Sequence, residues 1–136
     1  MTIIIVDDEP EFRLLLRMML QSEGFDVILA EHGAKALEKL KGLNVDLVIS
    51  DIYMPVMDGM KFHESFRAIP GHEKTPFLFI SGYDDQHTRN SVKDPRIEGF
   101  LLKGSPKRDL MEWIQYLTTP EHLRPKLRPG SSKLME

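Results

Sequence analysis

Thr2-Ile3-Ile4-Ile5-Val6-Asp7-Asp8-Glu9 begins with a β-prone apolar run that stops abruptly against three acids. A strand with one face in water alternates apolar and polar residues. Ile3 to Val6 is apolar without a break, so it has to be covered on both faces. Similar short runs recur at residues 26–30, 45–50, 77–81 and 99–102. The stretches between them have helical spacing instead. Residues 11–22 put Phe12, Leu15, Leu16, Met19 and Leu20 on one side, with Gly24 placed to end the helix; residues 33–41 carry Ala36, Leu37 and Leu40; residues 61–69 carry Phe62, Phe66 and Ile69. A fourth helix over 84–93 has little apolar surface beyond Val92 and is stopped by Asp94-Pro95. In the fifth, Ser105 is expected to cap, Pro106 to occupy the first turn, and Leu110, Met111, Trp113, Ile114 and Leu117 to form the buried stripe. Strands alternating with helices in this way predict an α/β fold, a doubly wound five-stranded parallel sheet with helices on both faces.

With 136 residues the chain has material for one core and a short extension. Hydrophobic residues make up 41% and charged residues 29%, the balance of a folded soluble domain rather than a disordered or membrane-spanning chain. The formal charge of −3 has the wrong sign, and is too small, to attract nucleic acid or anionic lipid directly. Cysteine is absent, which removes disulfides, thiolate metal sites and a cysteine nucleophile together and fits a reducing compartment. With no basic, apolar leader at the N-terminus, a cytoplasmic, unprocessed chain is expected. Residues 1–118 make up the predicted domain. Residues 119–136 hold Pro120, Pro125, Pro129 and Gly130 among Arg124, Lys126, Arg128 and Lys133, and are expected to form a flexible tail or linker.

Ligands of parallel α/β sheets collect at the carboxyl ends of the strands, where loops and helix N-termini converge. The polar residues at those ends are Asp7 and Asp8, Asp51, Ser81 and Lys103. They share one crevice if the strand order is 2-1-3-4-5. Three crowded carboxylates either retain protons or are neutralised by a divalent cation, and an all-oxygen set without His or Cys suits Mg²⁺. Asp51 could accept a phosphoryl group as a carboxylate nucleophile, with Lys103 and the cation against the equatorial oxygens and Ser81 as a hydrogen-bond donor.

Asp7-Asp8 after an apolar strand, Asp51-Ile52-Tyr53-Met54-Pro55-Val56-Met57-Asp58-Gly59, Ser81-Gly82 and Phe100-Leu101-Leu102-Lys103, in that order, resemble the receiver domain of two-component response regulators. The resemblance covers about residues 2–118. It implies the flavodoxin-like sheet order 2-1-3-4-5 and a phosphorylation switch in which Asp51 takes a phosphoryl group from a sensor histidine kinase or a histidine phosphotransfer protein. It implies that Asp8, Asp51 and the Tyr53 carbonyl bind Mg²⁺, that Asp7 assists through water, and that Lys103 pairs with the phosphate. Ser81 and Phe100 correspond to the switch pair that reshapes the face made by the fourth helix, fifth strand and fifth helix. Output is then expected through protein contacts, to a downstream protein or in a phosphorylation-dependent homodimer, or through a C-terminal output domain beyond this sequence. The domain would catalyse only its own phosphorylation and dephosphorylation.

Each residue also has an ordinary reading. The Asp pair can cap a helix, Ser81 can be a turn hydroxyl, Lys103 a surface lysine and Phe100 a core residue. Met54, Met57 and Met60 read as packing, and the five histidines, which lack ligand-like spacing, as surface residues. The joint placement at four strand ends favours a site. Two alternatives stay open: a small Mg²⁺-dependent phosphohydrolase with an aspartate nucleophile, which would need a second acid where Tyr53 stands, and an interaction module of the same fold that is not phosphorylated. Three features depart from the family pattern. Gly104 stands where proline usually follows the lysine, so a different loop without a cis bond is expected there. Tyr53 and Tyr83 flank the acceptor and are expected to slow hydrolysis. The weak fourth helix is expected to open easily.

Overall fold

The computed structural model describes residues 1–130; the last six residues of the expected tail, 131–136, lie outside the described residues. The elements follow in the order β1 (Thr2–Val6), α1 (Pro10–Ser22), β2 (Asp26–Ala30), α2 (Gly33–Lys39), β3 (Leu47–Asp51), α3 (Gly59–Arg67), β4 (Phe77–Ser81), α4 (Gln86–Arg89), β5 (Glu98–Leu102) and α5 (Lys107–Thr118). The five strands form one sheet in the order β2-β1-β3-β4-β5, every neighbouring pair parallel. The fold is the flavodoxin-like α/β arrangement expected.

The unbroken apolar run of β1 is explained by two cores. Ile3 and Ile5 pack with Leu16 and Leu20 of α1 and with Leu110, Trp113, Ile114 and Leu117 of α5. Ile4 and Val6 point the other way, into a cluster with Ala36 of α2, Phe62 and Phe66 of α3, and Phe77 and Phe79 of β4. The period of two is present, but both phases are buried.

The helix boundaries moved where capping outweighed apolar spacing. α3 starts two residues before the expected 61 because the Asp58 carboxylate accepts the Lys61 N–H at 2.8 Å. α2 ends at Lys39 rather than 41. α4 is a single turn instead of the expected ten residues: Asp85 and Thr88 form a capping box at its start, and Asn90 ends it. With so little apolar surface, nothing holds a longer helix to the sheet. Pro106, not Ser105, flanks the start of α5, and the Ser105 hydroxyl instead donates to the Leu102 carbonyl at 2.6 Å.

His63 and His72, expected at the surface, are buried. His63 belongs to a polar knot at the amino end of β5. Glu98, 1% exposed, accepts from His63 Nε2 at 2.5 Å and from Arg67 Nη2 at 2.8 Å on one carboxylate oxygen, and from the N–H groups of Lys93 and Asp94 at 2.8 and 3.0 Å on the other. Arg67 also donates to the Thr75 and His72 carbonyls, tying α3 to the approach to β4. Burial alone would push the Glu98 carboxyl up, but these donors together hold it down to about 2.

A carboxyl with a depressed folded-state pKa contributes stability in full above its ordinary value of 4.5, and that contribution is lost as pH falls through about 2. Glu98→Gln should therefore cost about 3 kcal/mol at neutral pH. The gap from wild type should narrow between pH 4.5 and 2 in urea titrations. A constant gap across that window would mean that Glu98 is not charged in the fold.

Candidate functional site

β1, β3, β4 and β5 are consecutive in the sheet, and the residues at their carboxyl ends gather along the same end of it. Asp7 follows β1 and is fully buried, Asp51 closes β3 at 5% exposure, and Asp8 lies exposed above them. Asp7, Asp8 and Asp51 each offer a carboxylate oxygen, and these atoms lie within 4.8 Å of one another. Lys103, one residue past β5, brings Nζ to 2.8 Å from Asp51 Oδ2 and 2.9 Å from Asp7 Oδ2. It also donates to the Glu9 carboxylate and lies 4.8 Å over the Phe12 ring. Asp8, Glu9, Asp51, Tyr53, Ser81, Gly82, Tyr83 and Lys103 line a cleft of about 420 Å³. The sequence-predicted residues Asp7, Asp8, Asp51, Tyr53, Ser81 and Lys103 are thus brought together. Phe100 is not in the cleft; it is half-buried on β5, against the core layer of α2 and α3.

Local hydrogen bonds aim the acids. Asp51 Oδ1 accepts the N–H of Ile52 at 2.7 Å and of Tyr53 at 3.3 Å, which turns Oδ2 toward Lys103 and the cleft. Asp7 Oδ1 accepts the Glu9 N–H at 2.8 Å. Asp7 Oδ2 is buried and receives no aligned hydrogen bond; its 2.9 Å approach to Lys103 is an ion contact only. Arg13 braces the turn by donating to the Asp7 carbonyl at 2.6 Å. Across the cleft, the Ser81 hydroxyl oxygen accepts from the Tyr83 N–H at 3.1 Å. Tyr83 meets the Tyr53 ring edge-on at 5.6 Å, and Tyr53 lies 5.7 Å from the His87 ring, so an aromatic wall stands beside the acceptor.

Two backbone features hold the loop after β3. A Cβ on Gly59 would lie 2.2 Å from the Asp51 carbonyl oxygen, so only glycine lets α3 start this close to the acceptor. Val56 has φ 69° and is 80% exposed, a left-handed conformation that a β-branched side chain resists. On the other side, Gly104 follows Lys103 with φ 88°, and the described residues contain no cis peptide bond. The loop after β5 therefore turns through a positive φ that glycine adopts freely, a different device from the family's proline.

The acids outnumber the cation. Burial pushes both Asp7 and Asp51 above the ordinary carboxylate range, and Lys103 only partly offsets it. Burial also disfavours the Lys103 ammonium, but its hydrogen bonds to Asp51 and Glu9 and its ion contact with Asp7 outweigh that and raise it above the usual lysine range. Excess negative charge, hard oxygen donors and an unmatched buried Oδ2 together fit a divalent cation such as Mg²⁺. Sequence reading did not single out Glu9 or Arg13; the acid directly after the Asp pair was the available signal for Glu9.

A carboxyl raised by folding opposes folding in full above its raised pKa; the opposition fades as pH falls from there toward the ordinary 3.8. Asp7→Asn should accordingly raise stability at neutral pH without divalent cation, read as a higher Tm. The two melting curves should converge in acid. A variant less stable than wild type at pH 7 would show that the contacts of Asp7 with Lys103 and the Glu9 N–H outweigh the cost of burying its charge.

Residues 3–115 match the family model for the response regulator receiver domain. The chain is 47% identical over 113 residues to the transcriptional regulatory protein GlrR of Escherichia coli, covering 82% of this chain and 25% of that one. It is 40% identical over 108 residues to the Regulator of RpoS of Escherichia coli, covering 79% and 31%. An uncharacterised 14.6 kDa protein from the sodA1 3′ region of Leptolyngbya boryana is 32% identical over 115 residues, covering 85% and 88%. The chain therefore spans a quarter to a third of the two regulators and most of the small cyanobacterial protein. Chemotaxis protein CheY4 of Vibrio cholerae superposes with a TM-score of 0.79 at 28% identity, covering 85% of this chain and 97% of that one. TrrA of Thermotoga maritima, solved in complex with Mg²⁺-BeF, gives 0.74 at 32% identity with the same coverages. The motif order, the 2-1-3-4-5 sheet and these matches converge: the chain belongs to the receiver-domain family of two-component response regulators.

Proposed function

We propose that this receiver domain is a phosphorylation switch whose acceptor is Asp51. The observation that carries the reading is the contact of one ammonium, Lys103, with Asp51 at 2.8 Å and Asp7 at 2.9 Å inside an acidic cleft. The donor is a phosphohistidine on a sensor histidine kinase or phosphotransfer protein. An Asp51 carboxylate oxygen forms a bond to phosphorus, the N–P bond breaks, and its electron pair returns to the departing imidazole. Lys103 would pair with the transferred group once its contact with Asp51 is exchanged for a phosphoryl oxygen. Asp8, Asp51 and the Tyr53 carbonyl would hold Mg²⁺, with Asp7 assisting through water. When bound, the cation neutralises the charge that gathers on the phosphoryl oxygens.

Ser81 completes the switch. Its hydroxyl accepts from Tyr83 N–H and retains a proton to donate to a phosphoryl oxygen, a shift toward the cleft that frees space for Phe100 on the neighbouring strand. The face of α4, β5 and α5 changes as a result, and with it the binding of a downstream protein, a second copy or an attached output domain. A cytoplasmic setting accords with this chemistry; among the described residues no helix is long and apolar enough to cross a membrane. A phosphohydrolase is disfavoured by Tyr53, which stands where such an enzyme needs its second acid. A non-phosphorylated interaction module is disfavoured by the charge crowding at Asp7 and Asp51, which folding alone would avoid.

Intact mass after incubation with acetyl phosphate and Mg²⁺ should rise by one phosphoryl group, and Asp51→Asn should abolish the gain; labelling that survives the substitution would move the acceptor elsewhere. The aromatic wall of Tyr53 and Tyr83 restricts the approach of attacking water, so the phosphorylated state is expected to be long-lived. Tyr53→Ala and Tyr83→Ala should each shorten its half-life severalfold. A wild-type half-life of seconds, unchanged in both variants, would remove that role from the two rings.

A further inference from the structure

After α5, the chain makes a 3-10 turn at Glu121–Leu123 and then runs back along the edge of the domain, where the sequence reading expected a flexible extension. Two arginines four residues apart fasten it. Arg124 donates to the Thr119 carbonyl at 2.8 Å, the Leu117 carbonyl at 3.3 Å and the Arg96 carbonyl at 2.5 Å, and its guanidinium lies 4.8 Å over the Tyr116 ring. Arg128 donates to the Pro95 carbonyl and, at 3.0 Å, to the Glu98 carbonyl, and lies 5.1 Å over the Trp113 ring. The segment thereby stitches α5 to the loop between α4 and β5.

Among the described residues, neither arginine forms an ion pair; their partners are neutral carbonyls and aromatic faces. Arg124 gains from the exposed carbonyls at the end of α5. Burial pushes the Arg128 guanidinium below its ordinary range; Tyr116 opposes that shift and the like charge of Arg124 adds to it. Such a grip trades hydration of a cation for hydrogen bonds without neutralising it. Without a neutralising acid the grip has no Coulombic lock, which suits a contact that can be made and broken.

What the segment holds is also joined to the cleft. The loop between α4 and β5 is fastened from inside by Glu98, through the N–H groups of Lys93 and Asp94, and from outside by Arg124 and Arg128. At its other end stands α4, whose Thr88 hydroxyl donates to the Tyr83 carbonyl, while the Tyr83 N–H donates to Ser81. On one side of this doubly fastened loop the one-turn α4 leads back to the cleft, and on the other β5 runs from it to Lys103.

We infer that residues 120–130 are an internal ligand of the α5–β5 edge, a releasable strap that clamps the α4–β5 loop and whose docking is linked to the state of the acidic cleft. The clamp stands on the contacts alone; the linkage rests on the proposed phosphorylation switch. Reciprocity then requires that loosening the strap change the affinity of the cleft for a phosphoryl mimic by the same factor that the mimic changes strap docking.

The experiment has two arms, both on the full chain. Without ligand, amide hydrogen exchange in Arg124→Gln/Arg128→Gln should accelerate on the order of tenfold or more over residues 90–98 and 119–130, with the central strands unchanged. Arg124→Lys/Arg128→Lys keeps both charges but loses the guanidinium fork, and should loosen the same amides. Wild-type protection in either double variant would overturn the clamp. In the second arm, beryllofluoride with Mg²⁺ should bind wild type and the Gln variant with affinities that differ severalfold, and should alter exchange at 119–130 in wild type. Equal affinities would overturn the linkage while leaving the switch intact. Binding by neither protein would overturn the switch reading and the linkage together, with the clamp still decided by the first arm.

Discussion

A single ammonium facing too many carboxylates is the constraint around which this domain is built. Lys103 reaches Asp7, Glu9 and Asp51 at once, while Asp8 remains outside its contacts and one Asp7 oxygen lacks an aligned donor. A fold selected for stability alone would place fewer acids here or pair them better. The imbalance survives because both cores are well filled on either side of the sheet, so the strand ends are rigid enough to hold like charges together. What the cleft lacks is positive charge, which the divalent cation of the proposed switch would supply.

The opposite end of β5 handles its charge in the reverse manner. Glu98 is as buried as Asp7, yet both of its oxygens are occupied, by an imidazole, a guanidinium and two main-chain N–H groups. One buried acid is saturated with donors and held at about 2; the other is left short of them and pushed up. The contrast divides the molecule into a fastened end and a poised end, joined by β5 and by the thin connection through α4. Changes at the poised end can reach the surface only through elements that are not fully locked, and the single turn of α4 is the least embedded of them.

Much of this was legible in the sequence because parallel strands buried on both faces must be continuously apolar, and because polar residues that interrupt such runs at their carboxyl ends have one place to go. Asp7, Asp8, Asp51, Ser81 and Lys103 were found by that rule, before any geometry. Features set by partners distant in sequence were not. Glu98 lies 35 residues from His63 and 31 from Arg67, with nothing in the local spacing to join it to them, so His63 reads as a surface residue; His72, stacked on the Phe66 ring, is hidden in the same way. The length of α4 was overestimated because its weak apolar pattern was allowed to run until a proline, whereas Asp85 and Thr88 close a box around one turn. The start of α3 was misjudged for the same kind of reason, since Asp58 caps it from within a motif read for its chemistry. The proline-rich, basic stretch after α5 looked like a linker, and composition alone does not reveal that Arg124 and Arg128 find carbonyls on an adjacent loop.

On this reading the carboxylates at the ends of β1 and β3 are gathered to hold a hard divalent cation beside Asp51. The most direct measurement is an anomalous difference map from crystals grown with Mn²⁺ in place of Mg²⁺. The account predicts one strong peak in direct contact with Asp8, Asp51 and the Tyr53 carbonyl oxygen. A cleft without a peak at millimolar Mn²⁺, or an ion bound only at another acidic surface, would contradict it.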